Sequence, residues 1–119
     1  MNEKNEKFII ARYVNDFIIL LDDYLLNYPK KYFELRNRLV MDSYNLLELI
    51  YEANYSEKNE RKKLQINALM KVNLIDFYIE ESFKKKIISE KQSIKMSTKL
   101  LGISKMIYKW VNENESENN

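Results

Sequence analysis

Five lysines punctuate the stretch SEKQSIKMSTKLLGISKMIYKW, at Lys91, Lys95, Lys99, Lys105 and Lys109. At about 100° per residue, and with Lys91 as zero, Lys95 falls near ~40°, Lys99 near ~80°, Lys105 near ~320° and Lys109 near ~0°. All five share one third of a helix circumference. Met96, Leu100, Ile103, Ile107, Trp110 and Val111 fall between about 100° and 200°, a separate apolar arc. An ammonium row of this kind neutralises phosphates without reading bases, and its grip weakens with salt because condensed counterions are released. The same spacing also describes the wet side of any amphipathic helix, so both readings stand at this stage.

Other chemistry has few residues to draw on. The chain has no Cys and no His, which removes disulfides, thiolate nucleophiles, imidazole bases and the usual zinc or haem ligands. The carboxylate pairs are Asp22 with Asp23, Glu48 with Glu52, and Glu80 with Glu81. Paired helical glutamates hold di-iron centres, but those centres also draw on Glu-x-x-His from two helices. The expectation is a protein without catalytic residues, metal or cofactor.

The elements that carry these groups follow from composition and period. One Gly and one Pro among 119 residues leave no supply of hairpin turns or phosphate-cradling glycine loops. The chain reads as all-α, an antiparallel up-down four-helix bundle over residues 1 to 112 with a polar tail, 113 to 119. The first helix spans about 6 to 27, with Ile10, Tyr13, Val14, Phe17, Leu20, Leu21, Tyr24 and Leu25 at helical period. Tyr28-Pro29 stops it, because proline disfavours helix in the residue before it. The second spans about 31 to 54, carried by Leu35, Leu39, Val40, Leu46, Leu47, Ile50 and Tyr51. Ser56 and Asn59 are candidate caps for the next helix, and SEKQ from Ser89 to Gln92 matches a capping box for the last.

The third helix, about 57 to 86, is apolar on nearly every side between Leu69 and Phe83. A helix greasy all round has two partners to satisfy, so Leu74, Ile75, Tyr78 and Ile79 are expected at an oligomer interface. Aromatic tips resting at a bundle surface are the plainer alternative. No stretch reaches the ~18 to 20 apolar residues of a membrane span, and MNEKNEK does not read as a signal peptide. A cytoplasmic protein without membrane contact is expected. Lysine makes up 16 of the 20 basic residues, a usage typical of AT-rich coding sequences in bacteria and phages.

Charge is distributed unevenly. Net charge is +2, yet residues 89 to 112 hold five lysines against Glu90 alone. Residues 56 to 88 carry eight basic groups against five acidic. Arg36, Arg38, Arg61, Lys62 and Lys63 are therefore candidate helpers for the lysine row.

Particular residues carry a family likeness. NYPKKYFELRNRLVMDSYNLLELIYEANYS and then LLGISKMIYKW resemble the accessory variability determinant proteins of diversity-generating retroelements. The points of contact are Pro29, Leu35, Arg38-Leu39, the run Leu46 to Ile50 with Ala53, Ile103, Lys105-Met106 and Trp110. The resemblance covers about residues 20 to 111. It implies a four-helix bundle that forms a homopentamer and binds RNA or DNA through basic surfaces. It also implies docking on the element's reverse transcriptase, to support mutagenic cDNA synthesis and retrohoming. A related group, encoded by intervening sequences of large-subunit ribosomal RNA genes, carries an Asn-Ile-Ala-Glu-Gly-like run that this chain lacks. The chain departs from the retroelement pattern where family members often carry arginines along the third helix and it has Ile75, Asp76 and Ile79. A helical scaffold without nucleic-acid affinity is accordingly the alternative.

Overall fold

The single proline makes the first corner. Pro29, with φ −62° and ψ 150°, is extended and opens a one-turn 3-10 segment, Lys30–Tyr32. Tyr32 N–H donates to the Pro29 carbonyl at 2.9 Å, which closes that turn. In the computed structural model, residues 3–116 are described, with side-chain surroundings for residues 9–113. The helices are α1 (Glu3–Leu25), α2 (Phe33–Tyr55), α3 (Lys58–Lys84) and α4 (Glu90–Ser116). The fold is an all-α four-helix bundle, 50 × 22 × 19 Å.

Short connections leave each helix no option but to run back along its predecessor. Around the bundle α1 packs on α2, α2 on α3, α3 on α4, and α4 closes on α1. Among the described residues no Cα of α1 comes within 8 Å of one in α3, nor any of α2 within 8 Å of one in α4. Val14, Phe17, Leu39, Leu46, Ile75, Ile79, Ile103 and Ile107 are each at 0% exposure. Burying one such side chain stabilises by about 1.5–3 kcal/mol. Three polar links fix the helices against one another. Lys71 Nζ meets Asp42 Oδ1 at 2.8 Å between α3 and α2. Ser97 Oγ donates to Asp76 Oδ1 at 2.9 Å between α4 and α3. The Tyr28 hydroxyl donates to Ser82 Oγ at 2.6 Å, and Ser82 in turn donates to the Tyr78 carbonyl at 2.9 Å. Burial pushes the Tyr28 phenol above its ordinary pKa, against the lowering effect of the Ser82 bond.

The helix ends show where local chemistry governs. The capping box forms as the SEKQ pattern implies: Gln92 N–H donates to Ser89 Oγ at 3.1 Å and Ser89 N–H to Gln92 Oε1 at 3.0 Å. Ser56 does not cap α3. It ends α2, with its hydroxyl turned back onto the Glu52 carbonyl at 2.7 Å, while Glu57 precedes α3 with no side-chain cap and Asn59 lies inside the helix. The link between the two helices is too short to give each its own cap. The close of α3 is a Schellman motif, with Lys86 N–H to the Phe83 carbonyl at 2.9 Å and Ile87 N–H to the Ser82 carbonyl at 2.9 Å. Lys86 stands there at φ 61°.

Two expectations need correcting. Ile75 and Ile79 are fully enclosed in this chain's own core and Tyr78 is buried, so none of the three is available to a second subunit. Of the four expected interface residues only Leu74 reaches the surface. The polar tail is also shorter than expected, because α4 runs to Ser116. Residues 112 to 116 contain no Gly or Pro, and extending an established helix costs little. The rest of that tail, residues 117 to 119, lies outside the described residues, as do residues 1 and 2.

Candidate functional site

The lysine row survives folding as a surface. Met96, Leu100, Ile103, Ile107 and Trp110 are buried, which fixes the rotation of α4 and turns Lys91, Lys95, Lys99, Lys105 and Lys109 to the exposed side. Among the described residues Lys91, Lys95, Lys99 and Lys105 have no carboxylate within 4.0 Å. Lys109 is engaged and lines a small groove with Trp110 and Glu113. From Lys91 to Lys109 the row runs about 27 Å at 1.5 Å per residue. That length matches roughly eight phosphate steps of one duplex strand.

At the centre of this arc stands the chain's one glycine. Gly102 lies near ~20° on the same wheel, among the lysines. It is exposed, and a Cβ there would meet nothing within 4 Å. Glycine inside an exposed helix costs about 1 kcal/mol relative to alanine, and here it leaves the helix backbone bare between Lys95, Lys99 and Lys105. Along the chain it registers only as the single glycine of the composition. Its place on the wheel was the available signal.

The two expected helpers on α2 do not join the row. Arg36 sits over the Phe33 ring at 6.0 Å, and Arg38 Nε donates to Glu34 Oε1 at 3.2 Å. Tyr78 first, and Glu34 after it, raise the Arg38 guanidinium above its ordinary pKa. Both arginines belong to α2, which lies diagonally across the bundle from α4. Arg61 donates back to the carbonyl of Ser56, the residue that follows α2, at 3.1 Å. Lys62 and Lys63 are exposed on the first turns of α3.

The carboxylate pairs do not converge. Glu80 pairs with Lys84 at 3.5 Å, and Glu81 with Lys85 at 3.2 Å. Asp22, Asp23, Glu48 and Glu52 are exposed. Among the described residues no group of three or more acids is placed to hold a metal ion, and no helix is long and apolar enough to cross a membrane.

A second surface on α4 was missed at the level of sequence. Ile94, Leu101 and Tyr108, seven residues apart, are 57%, 55% and 58% exposed and fall between about 260° and 300° on the wheel. They flank the lysines on the side next to α3, where Leu101 shares a shallow groove with Val72 and Asn73. On α3 the exposed large apolar residues are Ile66, Met70, Leu74, Phe77 and Phe83. The signal was present as a second heptad-spaced row beside the core row. Compared with known proteins, the chain matches no family model, no curated protein and no solved structure.

Proposed function

We propose that the protein is a non-catalytic accessory subunit that holds RNA or DNA by its phosphates along α4. In this reading it serves beside the reverse transcriptase of a diversity-generating retroelement, the setting implied by its likeness to accessory variability determinant proteins. The observation that carries the nucleic-acid part is the arc of Lys91, Lys95, Lys99 and Lys105, without a carboxylate partner among the described residues. The bare backbone of Gly102 at its centre supports it further, since a phosphate chain approaches closest where no side chain intervenes.

Contacts of this type position a nucleic acid and carry no sequence information. Recognition of one template would come from its structure or from the polymerase. Reversing Lys95 and Lys99 to Glu and measuring affinity across a salt series tests the reading. A second reading, a helical scaffold, is favoured by the modest net charge of +2 and by the outward apolar rows of α3 and α4. Absence of any binding at low salt selects it.

A further inference from the structure

We propose that the nucleic acid held along α4 is an unpaired strand, with its phosphates on the lysine arc and its bases turned onto the apolar row of Ile94, Leu101 and Tyr108. This rests on the phosphate-binding reading of α4 and names the form of the ligand. Surface apolar residues scattered singly need no explanation, whereas a line of them marks a binding surface. Ile94, Leu101 and Tyr108 are each more than half exposed and follow one another along the helix at intervals of about 10.5 Å. The lysine arc by itself gives that row no use.

Row and lysines belong to one helix, so helical geometry alone sets their spacing. Residues three or four apart are neighbours, with Cβ atoms about 5–6 Å apart. Ile94 has Lys91 three residues before it; Lys105 lies four residues after Leu101 and three before Tyr108. Each apolar side chain therefore stands beside an ammonium with no carboxylate within 4.0 Å among the described residues. A nucleotide carries the matching pair of groups, a flat apolar base next to an anionic phosphate. Aromatic side chains take base faces by stacking, whatever the sequence. Tyr108 is placed to do so, and Leu101 and Ile94 cover further faces by apolar contact. A duplex has no such use for the row, because it offers only base edges in its grooves and otherwise turns sugar and phosphate outward.

Charge sets which way the strand lies. On the α3 side Leu101 borders a shallow groove whose polar members are Asn73, Asp76, Ser97 and Ser104. Asp76 Oδ1 accepts the Ser97 hydroxyl at 2.9 Å, and Asp76 makes no other hydrogen bond or ion pair among the described residues. A carboxylate repels phosphate and accepts hydrogen bonds without donating any. Phosphates therefore keep to the side of Lys95 and Lys99, and bases fall toward Asp76. The amino group of cytosine is a donor that carboxylates accept from, so a base with an exocyclic amino group suits this groove.

The test titrates the full chain into fluorescein-labelled oligo(dC), oligo(dT) and a duplex of the same length, each long enough to span α4, across a salt series. At physiological salt the single strands should bind more tightly than the duplex. Tyr108→Ala should weaken single-strand binding by about fivefold or more. Duplex affinity, the salt slope and helix content should stay unchanged, since Tyr108 is exposed and meets no phosphate. Lys95→Glu with Lys99→Glu should instead weaken both forms and flatten both slopes. Oligo(dC) should bind more tightly than oligo(dT), and Asp76→Asn, which keeps an oxygen for Ser97, should narrow that ratio. No binding of either form at low salt removes the phosphate-binding reading and this inference with it. A duplex bound as tightly as the single strands with a lysine-dependent slope, or a Tyr108→Ala variant with wild-type affinity for them, overturns this inference alone. A wild type that does not distinguish the two oligomers overturns the placing of a base at Asp76.

Discussion

Lys71 on α3 and Asp42 on α2 meet at 2.8 Å, with the Asp42 side chain 12% exposed and Lys71 30% exposed. The pair ties two helices together at the edge of an apolar core. Replacing Lys71 with Met leaves a nearly enclosed carboxylate without its cation, and a cost of about 1–3 kcal/mol is expected. Replacing both, Asp42→Leu with Lys71→Met, should recover most of that loss. Urea denaturation of the wild type, both single variants and the double variant gives the coupling directly. Equal loss in single and double variants would mean that the pair contributes through packing alone.

The corrected orientation of α3 changes what an acidic substitution does. Ile75→Glu or Ile79→Glu introduces a carboxylate at a position with 0% exposure, and the chain should lose its cooperative unfolding transition rather than merely change its assembly state. Leu74→Glu, one residue away and exposed, should leave the fold intact and shift stability by less than about 0.5 kcal/mol. Circular dichroism melts of the three variants distinguish the two positions.

The contrast between α4 and α3 explains how much was legible in the sequence. In α4 the inward arc is built of large side chains, Met96, Leu100, Ile103, Ile107 and Trp110, and its rotation follows from period alone. The capping box of Ser89 and Gln92 is equally local. In α3 the inward arc includes Gln65, Ala68 and Ser82, all at 0% exposure, while larger Met70 and Phe77 face outward. Period and hydrophobicity alone find large apolar residues on both sides and do not choose between them. What turns α3 is tertiary: Lys71 is drawn to Asp42 on one flank and Asp76 to Ser97 on the other, and neither pairing has a signature along the chain. The lysine row was legible for the reason α4 was, but its isolation from the arginines of α2 depended on the order of helices around the bundle.

Lys86 occupies a backbone conformation that suits glycine. At φ 61° an L side chain crowds the following carbonyl, at a cost of about 1–2 kcal/mol. Glycine avoids the clash but has more freedom to lose, about 0.5–1 kcal/mol. Lys86→Gly should therefore raise stability by about 0.5–1 kcal/mol through the Schellman turn, seen as a higher melting temperature with unchanged helix content. A decrease would mean that the Lys86 side chain contributes more than its backbone strain removes.

The lysine arc makes the functional prediction. With Lys95→Glu and Lys99→Glu together, affinity for structured RNA and for duplex DNA should fall alike, because the contacts are to backbone charge. Each lost phosphate contact flattens the plot of log affinity against log salt by about one unit, so the double variant should lose about two. Gly102→Ala separates charge from close approach. It keeps every lysine and should stabilise the helix by about 1 kcal/mol, since a Cβ meets nothing within 4 Å. Yet it should weaken binding if phosphates seat against the bare backbone. In an assembly with more than one arc, weak contacts add through multivalency, and losing two per subunit would then cost more than twofold. A double variant with wild-type affinity and slope would mean that these lysines only keep one side of α4 wet.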